Sequence, residues 1–276
     1  MGKANNKKEG ITMKLGFIGT GNMASAIMGG IIKNQIIPAN DIIGADIMEA
    51  GRKRVKEQFK IQVTADNREV INSSDIVILS VKPQFYAEVI AEIKDDVRED
   101  QIIITIAPGK TLAWLKEQFG KNVKIVRTMP NTPALVGAGM TAACPNEYMT
   151  KEEIAYVLTL LESFGRVEII PERLMDTVVS VSGSSPAYVF MFIEAMADAA
   201  VSGGMPRAQA YQFAAQAVLG SAKMVLETGK HPGELKDMVC SPAGTTIEAV
   251  RVLEEKGFRS SVIEAMKTCE EISKSM

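Results

Sequence analysis

The chain's first apolar run, Leu15-Gly16-Phe17-Ile18, ends in Gly19-Thr20-Gly21-Asn22-Met23-Ala24 and passes at once into a helical pattern through Gly30. Strand, tight turn and helix in that order leave few folds open. Gly19 suits a turn that needs a positive φ, Gly21 lets the backbone approach a pyrophosphate, and Ala24 is small enough for helix and strand to pack closely. The unpaired N–H groups and dipole of the new helix would then face a phosphate. The turn opens the fold, and that context raises it above an ordinary glycine-rich β–α connection.

The rest of the first half repeats the alternation. Strand-like runs at 41–46, 61–63, 75–81 and 101–106 are each followed by a helical pattern, a sixth at 123–126 leads into Arg127-Thr128-Met129-Pro130-Asn131-Thr132-Pro133, and a shorter unit, 140–143, leads to a helix at 150–164 and a strand at 166–170. Runs such as Ile76-Val77-Ile78-Leu79 are apolar throughout, as strands buried on both faces are. Asn67 opens a short helix, Pro83 stands at a helix N1 position, and Thr111 caps the helix that ends at Gly120. This pattern predicts an α/β fold with an N-terminal Rossmann-like, doubly wound, mostly parallel sheet. From Pro171 the strand runs give way to helices at 172–181, 186–201, 207–227, 234–239, 247–256 and 259–273, with 182–187 read as an interruption. The expected organisation is a polar, flexible extension at 1–12, a dinucleotide-binding domain at 13–170 and an all-α domain at 171–276.

Asp46 ends the second strand about twenty positions beyond the turn, where an acidic side chain can accept both hydroxyls of the adenosine ribose. Its charge repels a 2′-phosphate and favours NADH. The basic Arg52, Lys53 and Arg54 that follow keep NADPH open as the cofactor.

Composition excludes several classes. Hydrophobic residues make up 46% of the 276, enough for a sizeable core. A net charge of −2, from 31 basic and 33 acidic residues, gives no footprint for nucleic acid. Three separated cysteines (Cys144, Cys240, Cys269) match no metal or disulfide spacing and fit a reducing cytoplasm. His231 alone cannot build a metal cluster and reads as a surface or capping residue. No apolar run is expected to reach membrane-spanning length, Glu194 and Asp198 interrupting the most apolar helix. The helices of the second half are rich in small and apolar residues (Ala195, Met196, Ala199, Ala214, Val218), which predicts a dimer in which they interlock.

A second chemical stretch, Cys240-Ser241-Pro242-Ala243-Gly244-Thr245-Thr246-Ile247, is a tight loop feeding a helix. Unpaired N–H groups there can hold a carboxylate, and a threonine there can equally serve as an ordinary N-cap. Together with Val81-Lys82-Pro83, Ser182-Gly183-Ser184-Ser185-Pro186-Ala187-Tyr188, His231-Pro232-Gly233-Glu234-Leu235-Lys236-Asp237 and Gly257-Phe258-Arg259-Ser260, these stretches resemble the pyrroline-5-carboxylate reductases in the same order, from Met13 to the C-terminus.

The resemblance implies reduction of 1-pyrroline-5-carboxylate to L-proline with NADH or NADPH. Ile18, Gly19, Thr20, Gly21, Asn22 and Met23 would cradle the pyrophosphate. Asn67 would lie near the adenosine ribose. Ser80, Val81, Lys82 and Pro83, with Ile106, Ala107 and Pro108, would line the cofactor towards the nicotinamide. Ser241, Gly244, Thr245 and Thr246 would bind substrate, with Thr246 on the ring nitrogen as the catalytic group. No metal is implied, and no nucleic-acid or membrane partner. The family forms homodimers through the helical domain, extending in some members to larger rings such as a decamer, with each active site between one subunit's nucleotide domain and helices of its partner. The chain departs from the family pattern at Ala243 and Ser185, where glycine is usual and where alanine and serine favour ordinary backbone angles. Two other readings share the first domain: a β-hydroxyacid-type dehydrogenase, with Lys223 or Lys236 as its base, and a non-catalytic NAD-binding sensor.

Overall fold

A computed structural model describes residues 13–275; the extension expected to be flexible, 1–12, lies outside the described residues. The chain divides into two compact units. One runs to Gly183 and takes in the C-terminal segment from Glu270; the other is Ser184–Cys269. The division thus falls later than Pro171, and the chain's last segment returns to the first unit.

The first unit is built on eight strands: β1 (Leu15–Ile18), β2 (Ile42–Ala45), β3 (Gln62–Thr64), β4 (Ile76–Leu79), β5 (Ile102–Thr105), β6 (Lys124–Met129), β7 (Gly139–Pro145) and β8 (Gly165–Ile169). Their spatial order is β3-β2-β1-β4-β5-β6-β7-β8. All neighbours run parallel except β6 and β7. The order reverses between β1 and β4, and ligands of such sheets bind beyond the carboxyl ends of the strands at that switch point.

Alternate residues of each strand enter opposite cores, as the pleat requires. Leu15, Phe17, Ile76, Ile78, Ile102 and Ile104 face a core shared with α1 (Asn22–Lys33), α2 (Glu49–Phe59) and α6 (Lys151–Glu162). Ile18, Val77, Leu79 and Ile103 face the other, covered by α3 (Asn67–Ser73), α4 (Tyr86–Ile93) and α5 (Leu112–Phe119). Local signals set the helix ends. Asp66 and Thr111 cap α3 and α5. Thr150 and Glu153 form a reciprocal capping box on α6.

β6 runs through Arg127, a charged residue in a buried strand. Its guanidinium is paired with Glu172 at 2.8 Å, and the same carboxylate oxygen accepts the Leu112 N–H at 2.7 Å. Glu172 opens a 3₁₀ turn leading to α7 (Met175–Val178), and a π-helical turn, Val179–Gly183, follows without a break. The expected interruption at 182–187 narrows to a bend at Ser184, the N-cap of the next helix, which begins at Ser185. Asn131, at the end of β6, donates to the Ser182 carbonyl at 2.9 Å and accepts from Met140 N–H at 2.8 Å, so the wide turn is anchored from the sheet.

The second unit is helical: α8 (Ser185–Ser202), α9 (Arg207–Thr228), α10 (Pro232–Val239), α11 (Thr245–Glu255) and the start of α12 (Phe258–Lys274). His231 caps α10, its Nδ1 accepting the Gly233 N–H at 3.1 Å. Only Ala197 is buried in α8, and only Ala210 and Ala214 in α9. Phe190, Met191, Phe213 and Leu226 are 61%, 69%, 67% and 62% exposed. An apolar groove of about 450 Å³ between Phe192, Met196, Val218 and Val225 adds to this surface. With only the bend at Ser184 between the π-helical turn and α8, Glu172–Ser202 does reach the length and apolarity of a membrane span, contrary to expectation, though by length and composition only.

Tyr86 joins the ends of β4 and β5. Its fully buried hydroxyl donates to the Leu79 carbonyl at 2.5 Å and accepts from Ile106 N–H at 3.3 Å, and burial pushes its pKa well above the usual tyrosine value, so it stays a donor. Tyr86→Phe strips a shared buried hydrogen bond and should destabilise the protein by about 1–3 kcal/mol, read as a lower urea midpoint at unchanged m-value.

Candidate functional site

Most of the cofactor residues expected from the sequence gather at one end of the first unit's sheet. Gly19 carries the positive φ anticipated for it, +96°. A Cβ there would stand 2.8 Å from the backbone of Ser80 and Val81, so only glycine lets the ends of β1 and β4 come this close. Gly19 N–H donates to Ala45 O at 2.8 Å, and Ser80 Oγ donates to Gly19 O at 2.7 Å. Tyr86 holds the Ile106 backbone to the same corner.

Gly21 is a different case. Its φ is an ordinary −68°, and a Cβ built on it would meet nothing within 4 Å. Nothing inside the protein demands glycine here, so the open space suits a ligand approaching the backbone. Gly21 is also the N-cap of α1, and it supplies no capping side chain. The free N–H groups of the helix, with no acidic residue in its first turn, fit a phosphate. The glycine-rich turn and the open end of α1 therefore fit the phosphates of a nicotinamide dinucleotide.

Asp46 does not stand open beside this turn. Its Oδ2 accepts both the backbone N–H and the hydroxyl of Thr20 at 2.8 Å, and its Oδ1 accepts the Met48 N–H at 2.9 Å. A carboxylate has about four acceptor positions, so one remains, too few for two ribose hydroxyls. Asn67, at the start of α3, donates its amide to Glu92 at 2.8 Å. Arg52 and Arg54, the basic residues expected to keep NADPH open, do not simply extend into solvent. Arg52 instead donates to the carbonyls of Asp46 and Ile47, and Arg54 to the Thr20 carbonyl.

The second expected site lies in the other unit. Gly244 is the N-cap of α11, and no side chain caps it. Thr245 and Thr246 follow as its first helical residues, so neither serves as the N-cap, and the helix end is left open. The Gly244 N–H closes a turn onto Ser241 O at 3.0 Å, and a Cβ on Gly244 would stand 2.3 Å from Ser241 Oγ. Ala243 departs from the ordinary angles expected for alanine, with φ at +57°. The tight turn imposes a left-handed residue whether or not the side chain favours it.

Comparison with known proteins agrees with both halves. Residues 172–276 match the family model described as pyrroline-5-carboxylate reductase dimerisation, and 14–109 match that described as NADP oxidoreductase, coenzyme F420-dependent. The pyrroline-5-carboxylate reductase of Escherichia coli K12 is 55% identical, covering 95% of this chain and 98% of its own. A solved pyrroline-5-carboxylate reductase from Coxiella burnetii superposes with a TM-score of 0.88 at 35% identity, over 96% of this chain and 98% of its own. The Plasmodium falciparum pyrroline carboxylate reductase, solved with NADP bound, gives 0.88 at 32%, over 96% and 99%. With the helical half and most of the chain matched, this protein belongs to the pyrroline-5-carboxylate reductase family.

Proposed function

We propose that the chain reduces the C=N bond of 1-pyrroline-5-carboxylate to give L-proline, the last step of proline synthesis, with NADH or NADPH as the reductant. The observation that carries the reading is a pair of uncapped helix N-termini, one in each unit, α1 behind Gly21 and α11 behind Gly244. The first suits a pyrophosphate and the second a carboxylate, which are the two anions this reaction brings together.

When bound, the nicotinamide supplies the hydride. The chain's own residues bind and orient. The first N–H groups of α11 hold the substrate carboxylate, in the turn made by Ser241 and Gly244. Thr246, at the second position of that helix, offers its hydroxyl to the ring nitrogen as it becomes an amine. No strong acid is needed if the imine arrives protonated, and most of the rate enhancement comes from alignment.

Oxidation of a hydroxyacid would instead ask for a neutral base. Lys223 is paired with Glu227, and Lys236 with Asp237, whose hydrogen bond raises the lysine's pKa. A raised pKa keeps the ammonium charged and unfit as a base. A non-catalytic sensor would have no use for the second anion site.

The same proposal has the chain form a homodimer through the helices of its second unit, with a ring such as a decamer as a larger assembly, in the cytoplasm. The exposed phenylalanines and leucines of α8 and α9 support it, since a face of this extent is covered by a partner in stable proteins.

Thr246→Ala should lower kcat by about 100-fold while KM for NADH stays within about twofold; unchanged kcat in steady-state assays would sink the assignment. Ala243→Gly relieves a left-handed alanine and should stabilise by roughly 0.5 kcal/mol, net of glycine's greater unfolded-state entropy, visible as a small rise in the urea midpoint. The double variant Phe190→Glu/Phe213→Glu should sediment as a monomer where the parent chain sediments as a dimer or larger.

A further inference from the structure

The corner where β2 ends holds more than the expected ribose acceptor. Thr20 is fully buried, and its N–H and hydroxyl both terminate on Asp46 Oδ2. The first turn of α2 closes over the pair. Gly51 lies there, and a Cβ on it would stand 3.0 Å from Thr20 Oγ1 and 3.2 Å from Asp46 Oδ2. Asp46 is thus packed and hydrogen-bonded from the glycine-rich turn, from its own strand end through Met48, and against α2. Its negative charge is answered by three donors of the protein itself.

Two cations stand at the same corner. Arg52 spends Nη1 on the Asp46 and Ile47 carbonyls. Arg54 spends Nη2 on the Thr20 carbonyl and Ser25 Oγ, and makes a long contact to Asn22 Oδ1 at 3.5 Å. These contacts go to neutral oxygens. Neither guanidinium forms an ion pair with a carboxylate among the described residues, although the intervening Lys53 pairs with Glu49. Among the described residues, Arg52 Nε and Nη2 and Arg54 Nε make no hydrogen bond. The backbone contacts hold both side chains in place, and their remaining donors carry unanswered positive charge next to the glycine-rich turn.

We infer that Asp46 is a positioning residue that locks the glycine-rich turn through Thr20, and that Arg52 and Arg54 receive the 2′-phosphate of NADPH, making these two arginines the cofactor-specificity residues. The inference rests on the reading that the first unit binds a nicotinamide dinucleotide for imine reduction. A phosphate dianion gains charge-assisted hydrogen bonds from guanidinium forks, whereas a bare ribose hydroxyl gains little from them. An aspartate with both oxygens engaged neither recruits the ribose diol strongly nor presents an unanswered charge to the phosphate. The sign of the cofactor preference therefore reverses relative to the one Asp46 suggests in the sequence.

Initial rates with pyrroline-5-carboxylate and either cofactor test this, in the full-length parent and in Asp46→Ala, Thr20→Val, Thr20→Ser and Arg52→Ala/Arg54→Ala. The parent is expected to favour NADPH in kcat/KM. The double arginine variant should lose this preference by about tenfold or more, through KM for NADPH, with KM for NADH within about twofold of the parent. Asp46→Ala should raise KM for both cofactors by the same factor, with kcat at saturation little changed. Thr20→Val should shift both KM values in the same direction and Thr20→Ser should restore them, a rescue that loss of bulk packing would not produce. An Asp46→Ala variant that moves tenfold towards NADPH would return Asp46 to the role of ribose reader and overturn the lock. A double arginine variant with an unchanged cofactor ratio would overturn the phosphate site. Absence of turnover by the parent with either cofactor would instead strike the imine-reductase reading, so the two failures are separable.

Discussion

The close approach of three strand ends around Gly19 is the constraint on which the first unit depends. With φ at +96° and no side chain, Gly19 lets the β1 backbone turn against Ser80 on one side while its N–H reaches Ala45 on the other. That contact fixes how closely the strands meet at the switch point of the sheet. It also aims α1 so that its uncapped N–H groups face outward past Gly21. Alanine at Gly19 would collide with backbone, which cannot move aside as a side chain can. The glycine at Gly21, by contrast, touches nothing of the protein. One turn thus carries two glycines in different settings, one required by the packing of the fold and one facing open space.

The second unit obeys a different rule. Its long helices bury almost none of their own residues, so their apolar faces are unfinished within a single chain. Helices of this length gain most of their stability from tertiary packing rather than from propensity, and the matched dimerisation family supplies the kind of partner that completes them. The apolarity of 172–202 belongs to the same account. A stretch that passes for a membrane span by composition is also what a helix needs when its surface is to be covered by protein.

Much of this was legible because the signals are local. Apolar strand runs, Thr111 as a cap and the glycine-rich turn all act within a few residues of themselves. The open end of α11 was legible for the same reason, since Gly244 and the threonines after it are adjacent in the chain. What escaped depends on partners far away. The strand expected at 123–126 runs on to Met129, and Arg127 within it is buried because Glu172, 45 residues later, neutralises it. The break expected at 182–187 shrinks to a bend at Ser184, because the π-helical turn before it reaches Gly183 and Asn131 holds its Ser182 carbonyl from 51 residues away. Ala243 takes a left-handed angle because the turn onto Ser241 leaves no room for the angle alanine prefers.

Asp46 shows the division most directly. By itself the sequence determined that an acidic residue would end β2 at the distance where a ribose is read, and that a dinucleotide turn would precede it; spacing along the chain is enough for both. Only the tertiary structure decided what that carboxylate does. The fold brings Thr20 from 26 residues upstream into contact with it and sets two arginines beside it. Hydrogen-bonding capacity is finite and is shared out in three dimensions, so the identity of a side chain states what it can accept, and its neighbours in space decide what it still has left to offer.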